Sequence, residues 1–309
     1  MRTRPPTNTL ATDIQLSKYN PLPRILSFDD FDEGARGWCE LVGNHNGDLN
    51  ELQPVFSDMR PAQLSTCTFF DLGTHGSMNG TYSLKLATRP RQFHQAVAIK
   101  RLTSPTNGRV QVETWFTYKA EQTFGPNASE IRAWDGNYHP SEAQFGSFTI
   151  ANDICEGTNP DQRYHCVLRY ENTNEAGEFT QRWMYKTAIQ PSTRMLRGGA
   201  ASAHNDWHVD RPDQWAPVPG GNQQLCFNEV PTKVNWHYLR WQFDLASRQN
   251  IELQVNDLTM DLTRVPVPKY EDQGYWGINR LLNLCFDVRT TSNVRNFLYL
   301  DSVLISVDW

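Results

Sequence analysis

The sequence lacks any apolar run approaching the ~18 residues of a membrane-spanning helix, which removes that class of integral protein. It also lacks a basic excess, with 29 Lys+Arg against 34 Asp+Glu and a net charge of −5 in 309 residues. A surface built for nucleic acid or an anionic membrane would carry the opposite balance, so neither is an expected partner. Cysteine is sparse: Cys39, Cys67, Cys155, Cys166, Cys226 and Cys285 form no CxxC pair of the kind that marks a zinc ribbon or dithiol centre. The even count permits three disulfides, but a core of this size does not need them. Cys166 and Cys285 fall inside apolar runs, where a thiol serves as a small hydrophobe. No apolar signal-peptide core follows Met1-Arg2-Thr3-Arg4-Pro5-Pro6. Together these features lead to the expectation of a reduced, cytoplasmic protein. There is no P-loop, dinucleotide fingerprint, Gly-x-Ser-x-Gly elbow or zinc-protease motif, which counts against nucleotide-driven and serine-hydrolase chemistry.

Helical periodicity is nearly absent, and period-two alternation takes its place. Residues 109–118 put Val110, Val112, Thr114 and Phe116 on one side, and Gln111, Glu113, Trp115 and Thr117 on the other. Segments 81–87, 95–101, 146–151, 164–170, 180–186, 236–245, 251–256, 282–289 and 297–307 read the same way, separated by Gly, Pro and Asn. Val255-Asn256-Asp257 has the character of a hairpin turn. So many strands with so little helix predict an all-β, two-sheet antiparallel sandwich. No internal repeat or linker divides it. The expected organisation is an extended arm over residues 1–24 and a single sandwich domain over 25–309, with long rim loops.

Several strands carry aromatic and polar residues on the side away from the predicted core. Glu113 with Trp115, Gln181 with Trp183 and Tyr185, and Trp236 with Tyr238 are examples. A ring beside a carboxylate or amide suits a sugar, whose C–H face stacks while its hydroxyls hydrogen-bond. The plain alternative for any one Trp is that it fills the core. Arg169, in mid-strand, could point into the same groove or pair with a core charge.

The stretch Phe28-Asp29-Asp30-Phe31-Asp32-Glu33-Gly34, with Trp38 close behind, resembles the opening strand of concanavalin A-like lectin/glucanase domains. Asn235-Trp236-His237-Tyr238-Leu239-Arg240-Trp241-Gln242-Phe243-Asp244 resembles another strand of that superfamily, and Tyr299-Leu300-Asp301-Ser302-Val303 resembles its closing strand, which pairs back with the first. The resemblance implies a jelly-roll sandwich and a carbohydrate ligand. The superfamily holds lectins, glucanases and polysaccharide lyases. The Glu-x-Asp-x-x-Glu strand of laminarinase-type relatives is missing, however, since Glu113 is followed by Trp115 and Tyr118.

One segment concentrates titratable groups: Ala203-His204-Asn205-Asp206-Trp207-His208-Val209-Asp210-Arg211. In extended backbone His204, Asp206, His208 and Asp210 share a side, with Trp207 opposite. Such a set suits a divalent metal, calcium or a transition metal, held by His204, Asp206 and His208. It suits metal-free acid–base catalysis equally, with Arg211 stabilising negative charge. Gly198-Gly199 before it and Pro212, Pro217 and Gly220-Gly221 after it predict a rim loop. Trp134, Asp135, Tyr138 and His139 form a second loop cluster with stacking rings. The leading expectation is an enzyme that cleaves a glycoside or small oligosaccharide by hydrolysis or elimination. The alternative is a non-catalytic, lectin-like module with a structural metal. A homo-oligomer is compatible with either.

Overall fold

Alternating apolar residues become strands whose apolar sides turn toward each other. A computed structural model describes residues 13–39, 62–65, 76–103, 108–121, 141–156, 161–188, 190–195, 201–206, 212–228, 234–272 and 281–309. Along the chain come β1 (Arg24–Asp29), β2 (Trp38–Cys39), β3 (Gln63–Ser65), β4 (Ser83–Ala87), β5 (Gln95–Thr103) and β6 (Arg109–Ala120). Next are β7 (Ser147–Glu156), β8 (Asp161–Thr173), β9 (Phe179–Lys186), β10 (Gln190–Met195), β11 (Ala201–Asp206) and β12 (Trp215–Asn222). The last are β13 (His237–Asp244), β14 (Gln249–Val255), β15 (Leu258–Asp261), β16 (Lys269–Asp272), β17 (Leu281–Arg289) and β18 (Asn296–Val307). Among the described residues only two single-turn 3-10 helices interrupt them.

The strands form two eight-stranded sheets and one separate hairpin, β10–β11. Sheet A runs β15-β14-β13-β6-β18-β4-β3, with β1 also on β18. Sheet B runs β12-β9-β8-β7-β17-β5-β2, with β16 also on β8. Every pairing is antiparallel. The architecture is therefore the two-sheet jelly-roll sandwich, and the closing strand does pair with the opening one. Arg24–Asp29 lies beside Val303–Val307, while β4 takes the Phe297–Leu300 end of the same flank. Asn256, at φ 53°, supplies the left-handed residue of the β14–β15 hairpin.

Aromatic rings join the sheets. Phe116 of sheet A meets Phe148 of sheet B at 4.9 Å between centroids, and Phe148 also touches Tyr118, Tyr170 and Trp183. At one edge Asp29 of β1 accepts from Lys100 Nζ of β5 (2.6 Å) and from Trp38 Nε1 of β2 (2.9 Å), a buried clamp across the layers. Asp32 accepts from the backbone N–H groups of Thr81 and Tyr82. Gly80 (φ 83°) passes so close to that carboxylate that any Cβ there would overlap it. The opening-strand motif thus works as scaffolding.

Residues 13–23 cross the outer side of sheet A. The Asn20 N–H donates to Glu113, the Leu22 N–H to Ser306 Oγ, and the Tyr19 hydroxyl pairs with that of Ser302. Lys18 reaches Asp301 at 3.2 Å. Asp301 is the extra residue of a β-bulge between Leu300 and Ser302, and it also accepts the N–H groups of Met78 and Asn79. Truncating the shared ring of the core, Phe148→Ala, should lower stability by about 3–5 kcal/mol in denaturant unfolding.

Candidate functional site

The outward face of sheet B carries polar side chains in register. Asp287 of β17, Thr149 of β7, Arg169 of β8 and Met184 of β9 form one row. Arg289, Ser147, Glu171 and Arg182 form the next. Beyond β9, the edge strand β12 adds Trp215 and Pro217 opposite Lys186 and Met184. These rows and the turn at Asn174–Ala176 enclose a cleft of about 410 Å³. The turn is locally specified: the Asn174 carboxamide oxygen accepts from the N–H groups of Ala176 and Glu178, and Gly177 takes φ 80°.

Charges line this cleft in pairs. Arg182 donates to Glu171 (3.1 Å) and Arg289 to Glu175 (3.4 Å). The Arg169 guanidinium lies 3.7 Å from the centre of the Trp215 ring, a cation–π stack that fixes both side chains. Arg169 and Asp287 are buried. Burial pushes the Asp287 carboxyl up to about 6, against the opposing pull of Arg169 and Lys186. Burial likewise lowers Arg169 to about 10, while Asp287 resists the change. Arg289 falls to about 10 because it is buried and because Arg169 repels it.

Of the residues singled out in the sequence, Arg169 sits in this cleft. Trp183 does not. It is fully buried between Phe148 and Tyr170, with Nε1 donating to Gln223, so no sugar can stack on it. Strand β9 presents the opposite side from the one expected: the bulk of Trp183 and Tyr185 turns to the core, and Arg182 and Met184 face the cleft. Glu113 is also removed from solvent. Its oxygens accept from the Asn20 N–H, the Tyr238 hydroxyl and Gln111 Nε2, so it anchors residues 13–23. Trp115 lies half-buried beside it, its ring 5.4 Å from Tyr238.

The segment expected as a rim loop is a strand over Ala201–Asp206, paired with β10, which places His204 opposite Ser192 and Asp206 opposite Gln190. Trp207, His208, Asp210, Arg211, Trp134, Asp135, Tyr138 and His139 lie outside the described residues. Among the described residues no cluster of His, Cys, Asp and Glu is placed to hold a metal ion. Cys166 is buried and reduced, its thiol pushed up to about 12 by burial.

Sequence reasoning missed Trp215, Arg182, Glu171, Glu175 and Arg289. The Pro and Gly residues of β12 hid a strand, because an edge strand bonded on one side tolerates proline. Alternation through 169, 171 and 182 was the available signal.

The two antiparallel sheets, with a cleft on the outer face of one, define an all-β jelly-roll sandwich. By its family model, matched over residues 7–309, it belongs to a domain family of unknown function, DUF6772. No curated protein matches it. Similar solved structures include a lectin from Bauhinia forficata in complex with GalNAc, at 8% identity and a TM-score of 0.36, covering 80% of this chain and 93% of that one. Another is the legume lectin-like domain from Entamoeba histolytica, at 8% identity and 0.31, covering 82% and 93%. A third comes from work on endo-acting O-glycanases of human gut microbiota, at 12% identity and 0.33, covering 92% and 99%. At these scores the matches carry nothing about ligand or reaction.

Removing the Glu113 carboxylate leaves buried donors without an acceptor. Glu113→Ala should cost about 2–3 kcal/mol in unfolding and expose residues 13–23 to protease, whereas Glu113→Gln should lose less. A carboxyl whose pKa rises on folding, as Asp287 does from 3.8 to about 6, favours the fold only while protonated. Stability should therefore fall by about 2–3 kcal/mol from this group as pH climbs from about 4 to about 6. Subtracting the pH profile of Asp287→Asn from that of the parent isolates this slope.

Proposed function

We propose that this protein binds carbohydrate in the cleft on the outer face of sheet B, as a recognition module. The observation that carries this reading is the cleft itself. It combines one half-buried indole with hydroxyl, amide, carboxylate and guanidinium groups, all within about 410 Å³. A sugar presents apolar C–H faces and a ring of hydroxyls, and this mixture of one ring and many paired polar groups complements both. The flanking strands hold each group by sheet register, so little ordering remains to be done when ligand arrives.

Binding is favoured over turnover because the two glutamates lining the cleft are each engaged by an arginine. Glycoside hydrolysis asks instead for a protonated acid set against a base or nucleophile. Cleavage at the His204 segment is the second reading, and its residues past Asp206 lie outside the described chain.

The test is a glycan panel read by calorimetry on the full chain. Trp215→Ala should weaken the bound glycan about tenfold, or about 1.4 kcal/mol, with the circular dichroism spectrum unchanged. A folded variant that binds as tightly as the parent would remove the cleft from the reading, and release of shortened products would replace binding with catalysis.

A further inference from the structure

The cleft has a charge character that a neutral sugar would not use. Its described lining holds three arginines, Arg169, Arg182 and Arg289, against two glutamates, Glu171 and Glu175. Behind it, Lys186 and Arg169 share Asp287. Counting all of these leaves one positive charge in excess, inside a chain whose net charge is −5. A local excess against the overall sign is a feature of the site and not of the composition.

The arginines are also in different states of exposure. Arg169 and Arg289 are both buried, burial lowers the proton affinity of each, and Arg169 lowers that of Arg289 further by repulsion. Arg182 stands at the mouth with its side chain 36% exposed, and its Nε is buried without a hydrogen-bond partner among the described residues. A planar guanidinium offers paired donors that fit a carboxylate or a sulfate ester in two-pronged fashion. Sugar hydroxyls are satisfied by single donors and would leave the excess charge uncompensated.

We infer that the cleft selects a saccharide bearing an anionic substituent, a carboxylate or a sulfate ester, which the arginine group holds while the indole of Trp215 contacts the sugar ring. This rests on the carbohydrate reading above and narrows it.

The experiment measures affinity of the full chain for matched pairs. One pair is a uronate-containing oligosaccharide and its carboxyl-reduced counterpart; the other is a sulfated oligosaccharide and its desulfated counterpart. The expected result is a preference of about tenfold or more for the acidic member of at least one pair, shrinking several-fold as salt rises from about 50 to 500 mM. Whichever pair discriminates identifies the substituent. Arg182→Gln should bring the acid-to-neutral ratio toward one, and Arg182→Lys should retain part of it; circular dichroism confirms that both variants fold. Equal affinity within both pairs overturns the anionic preference and leaves the carbohydrate reading standing. A ratio unaffected by Arg182→Gln overturns the assignment of the anion to these arginines. Failure of every member to bind overturns both.

Discussion

The sandwich depends on a strand that has no solvent side. All twelve residues of β18 are buried. One side gives Leu298, Leu300, Val303, Ile305 and Val307 to the core; the other is covered, in part by residues 13–23. A central strand with both faces covered must satisfy its polar groups from what lies over it. Ser302, Ser306 and Asp301 find partners in Tyr19, Leu22 and Lys18. The bulge at Asp301 lets this happen. One extra residue shifts the alternation, so that Leu300 and Val303 both face the core although three positions apart.

Sheet B solves a different problem. Its outward face is polar, yet Arg169, Asp287 and Lys186 are buried there. Buried charges persist only when paired, and register supplies the pairing: strands β17, β7 and β8 set Asp287, Thr149 and Arg169 side by side. The geometry of the cleft is therefore set by the sheet, with one further contribution from the hydrogen-bonded turn after β8. The indole of Trp215 is positioned by the same logic, since it rests on the Arg169 guanidinium.

Period-two alternation made the strands legible. The runs read at 109–118, 282–289 and 297–307 lie inside β6, β17 and β18, because each has an apolar face that only one sheet orientation can bury. Which face of β9 turned inward was not legible. Arg182, Trp183, Met184 and Tyr185 offer bulk on both sides, and long-range packing of Trp183 on Phe148 and Tyr170 decided the matter. The site was legible only at Arg169. Its partners come from β9, β12, β17 and a turn, far apart in the chain, and strand order cannot be read from spacing. Glu113 shows the converse, since a carboxylate beside a tryptophan looks like a ligand groove until the chain's own backbone occupies it.

The position of β18 has a consequence for how the chain acquires its structure. This strand pairs with β1, β4 and β6 of sheet A and follows all three in the sequence. During vectorial synthesis β6 and β4 are left with one edge open and β1 with neither edge paired, and all three wait for the same late partner. Their unpaired edges are the species most prone to pair with another nascent chain. Closure of sheet A is thus a single late event of high sequence separation, the kind that makes β-sandwiches slow to fold.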